Sequence, residues 1–191
     1  MAESGVVLNA IQNSYDSDHK SFNCISHIES RIFEGRCYTA RRDTTSLAAS
    51  SWVDLVLVTP TTATAEIHLY YNVNHSGGLV KIKLMEATTG GSTNGMPTIG
   101  VTPYNRNRGS ANTAELSVYN DSTGSIMSST VTSTEITFLV DDYVGSTNWN
   151  AVKYLENDDW ILKAATTYIL RVMNYGNAGA CTLIAGWGEH C

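Results

Sequence analysis

The chain has 191 residues, an apolar fraction of 42% and a formal charge of −6, a size and balance that suit one domain with its own core. Twelve Lys and Arg against 18 Asp and Glu exclude a nucleic-acid binder that works through a phosphate footprint. No run approaches the roughly 18–20 apolar residues of a membrane-spanning helix. Residues 1–13 lack the basic region and apolar core of a signal peptide, so the expectation is a soluble chain made in a cytoplasm.

In chain order, residues 1–30 show no sustained period. The apolar residues Val6, Leu8 and Ile11 stand apart in polar sequence and read as anchors of an arm that orders on another surface. Residues 31–191 read as the folded domain. Alternation marks strands at 31–42 and at 47–59, where Pro60 ends the run. Residues 65–73 and 79–87 alternate on either side of Asn74-His75-Ser76-Gly77-Gly78 and are read as a hairpin. A Gly/Thr/Ser/Asn loop follows to about residue 102.

Residues 103–119 run from a polar loop into a strand. Asn105, Arg106, Asn107 and Arg108 supply two amides and two guanidiniums, and Ala114, Leu116 and Val118 then share one face. Donors this dense are satisfied either by their own backbone or by a neighbouring molecule. Further strands are expected at 135–140, 160–163, 167–174 and 180–187. This makes about eight or nine short strands with turn signals between them and no helix of normal length. The fold class is therefore all-β: a single β-sandwich, jelly-roll-like because its long links suit crossings between sheets.

Candidate chemistry is sparse. No nucleophile elbow, zinc-protease motif, P-loop or dinucleotide fingerprint is present, and Gly90-Gly91-Ser92-Thr93-Asn94-Gly95 lacks the Gly-Lys-Ser/Thr ending of a phosphate loop. Asp141-Asp142 and Asp158-Asp159 could pair for glycoside hydrolysis or ligate calcium, but adjacent acids more often cap strands. Cys24, His27, His190 and Cys191 match no standard zinc spacing, while Cys37 and Cys181 sit in strand-like runs as small core residues. His68 and His75 read as surface histidines. Trp149, Trp160 and Trp187 with Tyr104 and Tyr143 could form a sugar-stacking platform, but Trp160 and Trp187 read as core, and Trp149 is the loop residue best able to stack on a sugar. The expectation is a chain that is not an enzyme, with no catalytic residues, no metal and no cofactor.

Three stretches resemble a family of tailed-bacteriophage virion proteins: His27 with Ile32-Phe33-x-Gly35-x-x-Tyr38, the Asn105-Arg106-Asn107-Arg108-x-Ser110 loop, and Trp160-Ile161-Leu162-Lys163-x-x-Thr166-Thr167-Tyr168-x-Leu170-Arg171-Val172. The ending Ala185-Gly186-Trp187-Gly188-Glu189-His190 is similar to that of many members. Some members resemble capsid cement or decoration proteins, jelly-roll subunits on the outer capsid lattice. The resemblance implies a virion structural protein on the capsid exterior whose partners are the major capsid protein and itself, as a homo-oligomer with a trimer favoured. The resemblance covers about residues 27–190; read with it, Asn105, Arg106, Asn107 and Arg108 are the expected contacts, and the arm at Val6, Leu8 and Ile11, outside the resemblance, is expected to add a second set. The competing reading is a receptor-binding head- or tail-fibre module holding a glycan near Trp149.

Overall fold

The computed structural model describes residues 15–16, 21–22, 32, 34–61, 66–87, 98–121, 136–146, 151–154 and 160–190. A short ribbon, β1 (Tyr15–Asp16) and β2 (Ser21–Phe22), precedes the domain. The domain strands are β3 (Cys37–Leu47), β4 (Trp52–Val58), β5 (Glu66–His75), β6 (Val80–Ala87), β7 (Thr98–Val101), β8 (Tyr104–Asn105) and β9 (Ser117–Asp121). They are followed by β10 (Ile136–Val144), β11 (Ala151–Tyr154), β12 (Trp160–Leu162), β13 (Thr167–Asn174) and β14 (Gly179–His190).

All pairings are antiparallel, and the strands form two main sheets. One sheet has the order β10-β6-β13-β4-β9-β7, and the other β11-β5-β14-β3-β8 with β12 also on β5. Strands β3, β14, β5 and β11 thus face β4, β13, β6 and β10. Strands β3 to β6 alternate between the sheets, β10 stays in the sheet of β6, and β11, β13 and β14 alternate again, which is the double Greek key of a jelly roll. The insertion between β6 and β10 supplies β7 and β9, which extend one sheet beside β4, and β8, which extends the other beside β3.

Alternation explains the core. Val53, Leu55 and Leu57 of β4, Val80, Ile82 and Leu84 of β6, and Tyr168, Leu170 and Val172 of β13 point at Ile67, Leu69, Tyr71 and Val73 of β5 and at Cys181, Leu183, Ala185 and Trp187 of β14. Each is buried, with Trp187 among the largest. The opposite face of the β4–β13–β6–β10 sheet falls into three lines by register. Val56, Ile169, Met85 and Phe138 form one, Asp54, Arg171, Lys83 and Asp141 the next, and Trp52, Met173, Lys81 and Tyr143 the third. In the middle line Arg171 Nε donates to Asp54 Oδ1 at 2.8 Å and a second guanidinium nitrogen holds Oδ2. Both side chains are buried. Losing one partner of such a pair costs about 3–5 kcal/mol, because it strands the other charge.

One end of the sandwich is closed by interlocked turns. Asn174 Nδ2 donates to the carbonyls of Leu47 and Asn177 at 2.9 and 2.8 Å, and Gly176 N donates to Asn174 Oδ1 at 2.8 Å. Tyr175 N reaches Leu79 O and Asn177 N reaches Gly77 O. The buried Asn174 amide thereby ties the turns after β3 and β13, and backbone bonds join the turn after β5 to them.

Several expectations change. The supposed hairpin at 65–87 is not one, because β5 and β6 lie in different sheets and the turn between them carries the chain across the core. Strands that face each other across a sandwich show the same alternation as strands that pair. The strand read at 31–42 starts at Cys37 and runs to Leu47, since Gly35 turns at φ 71° just ahead of it. The 135–140 strand runs on to Val144, so Asp141 and Asp142 lie within β10 and do not cap it. His75 is fully buried, not on the surface, because the period of Ile67, Leu69, Tyr71 and Val73 reaches it. The all-β sandwich, the strand at 167–174, the buried Cys37 and Cys181 and the core placement of Trp187 are as expected.

Candidate interaction site

The stretch 103–116 leaves β7, pairs briefly with β3 through β8, and returns as β9 in the opposite sheet. It bridges the edges of both sheets. Most of its polar groups act on the loop itself. Asn105 Nδ2 donates to Gly35 O at 2.8 Å and to Asn112 O at 3.2 Å, while its Oδ1 accepts from Asn107 N at 2.9 Å. Asn107 Oδ1 accepts from Gly109 N at 3.1 Å, and Arg106 N donates to Cys37 O at 2.8 Å. Asn112 Nδ2 donates to Glu34 O at 3.2 Å. Both amides thus engage their own chain, Asn105 as donor and acceptor and Asn107 through its oxygen as acceptor.

The longer side chains project outward. Arg106 Nη1 donates to Tyr70 Oη at 2.9 Å, and the Arg108 guanidinium lies 5.8 Å from the centre of the Tyr104 ring. Tyr104, Arg106 and Arg108 are all exposed, Tyr104 by 58%. Gly35 supports the loop from below. Its φ of 71° favours glycine, and a Cβ there would strike the Ser110 side chain.

Beside the loop lie two adjoining hollows that share Tyr38, Asn112 and Thr113. One, of about 360 Å³, is polar and lined by Arg36, Glu115 and Glu189. The other, of about 420 Å³, is lined by Val101, Pro103, Ala114, Leu116 and Val118. Glu189 is 5% exposed, and its Oε1 accepts from Glu115 N at 2.9 Å, Trp187 Nε1 at 3.0 Å and Leu116 N at 3.4 Å. Burial pushes its carboxyl above the ordinary value, and these hydrogen bonds oppose that rise. Tyr38 stacks on Trp187 with ring centres 5.8 Å apart, and its hydroxyl is pushed up to about 12, chiefly by burial. Glu189 is thus a fastener that joins the start of β9 to the end of β14 and gives the cleft its floor.

The remaining candidates fall elsewhere. Val6, Leu8, Ile11, Trp149, Cys24, Cys191 and the Asp158-Asp159 pair lie outside the described residues. Asp141 is held by Lys81 Nζ at 2.9 Å, so it is part of a sheet-face ion pair. His68 is partly buried with Glu66 at 3.8 Å. Among the described residues no group of three or more His, Cys, Asp or Glu is arranged to hold a metal. Sequence reasoning missed Glu189 as a fastener, although its phase with Leu183, Ala185 and Trp187 already points a carboxylate inward. It also missed the exposed rings of Trp52 and Tyr175, while Tyr143, read as a possible sugar-stacking aromatic, is exposed on β10.

No family model matches the chain, and neither the curated proteins nor the solved structures contain a significant match.

Proposed function

We propose that this chain is a decoration protein of a tailed-phage capsid, which binds the outer lattice and bridges neighbouring capsid subunits. The observation that carries the reading is the loop tip at 104–108. Asn105 and the oxygen of Asn107 brace its own backbone, while Tyr104, Arg106 and Arg108 face solvent. A tip held rigid before contact loses little conformational freedom on binding, and Tyr and Arg are the residues that dominate contact energy at interfaces. The guanidiniums suit carboxylates or carbonyls of a capsid subunit. The arm anchors Val6, Leu8 and Ile11 supply a second contact set. The chain acts as a homo-oligomer, a trimer by resemblance, and repetition on a lattice turns modest contacts into firm attachment.

Shells stripped of the protein and re-incubated with an R106A/R108A variant test this reading. The variant is expected to melt within about 0.5 kcal/mol of the parent, as surface changes do, and to lose at least about tenfold in shell affinity. Binding equal to the parent would overturn the role assigned to the tip.

A further inference from the structure

Four of the exposed large apolar side chains belong to one region of the molecule. Trp52 on β4, Phe138 and Tyr143 on β10, and Tyr175 in the turn after β13 are 38%, 49%, 58% and 48% exposed. The first three project from the sheet face turned away from the core, as the register shows. Tyr175 meets Tyr143 edge-on, with ring centres 5.5 Å apart. This is a separate surface from the loop tip and its cleft.

Register fixes the layout. Trp52 pairs with Met173, Met173 with Lys81, and Lys81 with Tyr143. Neighbouring strands lie about 4.8 Å apart, so the two aromatic residues stand at the ends of a shelf about 14 Å long. Met173 and Lys81 form its floor. The polar groups on it are held in place. Lys81 Nζ lies 4.8 Å from the centre of the Tyr143 ring and 2.9 Å from Asp141 Oδ1. Lys83 Nζ reaches the same carboxylate oxygen at 4.0 Å and sits 4.9 Å from the Phe138 ring. Arg171 lies 5.0 Å from the Trp52 ring and is paired with Asp54.

We infer that the Trp52–Tyr143–Tyr175 shelf binds an oligosaccharide. The class follows from what the shelf offers. A partner must lay apolar faces on separated rings and, between them, satisfy a fixed ammonium and carboxylate. Pyranose rings do both, stacking C–H faces on aromatic rings while adjacent hydroxyls donate to Asp141 and accept from Lys81. The charges also select against ionic polymers. Lys81 and Lys83 share one carboxylate, Asp141, and Arg171 is buried against Asp54, so the shelf offers no row of unpaired cations for a phosphate backbone. A protein docking core would be a continuous apolar patch depleted of charge, whereas here Lys81, Lys83 and the half-exposed Asp141 lie among the rings. Such a surface would let the molecule hold a glycan while the loop tip, on another part of the fold, holds its protein partner.

The test is a titration of the full chain with tri- and tetrasaccharides of glucose, galactose, mannose and N-acetylglucosamine, each to about 10 mM, a range that detects weak binding. Amide chemical shifts and tryptophan fluorescence report contact. At least one sugar is expected to bind, with shifts centred on residues 52, 81, 143 and 175. Tyr143→Ala and Tyr175→Ser should each weaken that binding by at least about tenfold while thermal melting stays near the parent. Tyr104→Ala should leave it unchanged. Absence of binding by every sugar, binding that both tyrosine variants retain, or a sedimentation change in Tyr143→Ala without sugar binding would overturn the proposal. The last result would assign the shelf to a protein contact.

Discussion

Glu189 shows how a single side chain can hold two sheets together at a cost set by pH. Three N–H groups converge on its Oε1, yet burial keeps its carboxyl above the ordinary value of 4.5. The folded chain therefore binds this proton more tightly than the unfolded chain. The stability it adds is complete below the ordinary value and is lost as pH rises through the folded value. Glu189→Gln keeps an oxygen for the same donors and removes the buried charge. Its stability at pH 7 should equal or exceed the parent's, and the gap should close by about pH 4. Glu189→Ala leaves the donors unmet and should lose about 1–3 kcal/mol at every pH. Urea unfolding across this range checks both, and a Gln variant as weak as the Ala variant would show that the charge itself is what the donors need. His75 has the opposite sign. Buried, with Nε2 lacking a hydrogen-bond partner among the described residues, its imidazole is held below the ordinary 6.5 by burial. It therefore destabilises the fold as pH falls through the range where only the unfolded chain takes the proton.

At the scale of elements, the insertion between β6 and β10 sets the surface on which the proposed function rests. It adds strands to both sheets and leaves a bridging loop braced by Asn105, Asn112 and the carbonyl of Gly35. Gly35→Ala is expected to unseat that loop, since a Cβ would collide with Ser110 from a backbone angle that alanine disfavours. A stability loss of about 1–3 kcal/mol should follow. It should be accompanied by faster amide exchange at 105–112 while β4 and β13 stay protected. Uniform loss of protection would contradict the view that the loop is braced locally. Much at this scale was legible in the sequence. Alternation located the strand at 167–174 and the inward face of Ala114, Leu116 and Val118, because one buried face imposes a period of two. Pairing was not legible, because β5 and β6 carry matching alternation without touching in a sheet. Nor was the use of Asn105 and Asn107. An amide that braces its own loop and one that awaits a partner are the same residue until the backbone's path is known.

Across the whole molecule, the jelly roll puts the loop tip and the aromatic shelf on different parts of one rigid sandwich. The interlocked turns around Asn174 and the Asp54–Arg171 pair within one sheet keep that frame fixed. A frame of this kind suits a protein whose product is contact, and the phage-virion partner is proposed from the sequence reading of Ile32–Tyr38, Asn105–Ser110 and Trp160–Val172. The fold class was readable because many short alternating segments with turn signals admit few architectures. The partner was not, since an exposed Tyr–Arg tip fits many acidic surfaces. The most direct measurement is therefore the number of copies per virion, by quantitative protein staining against the major capsid protein. Lattice-wide decoration predicts about one copy per capsid subunit, or a simple fraction such as one trimer at each local threefold axis. A ratio about tenfold lower or less would contradict it and place the chain among the few-copy appendages of the particle.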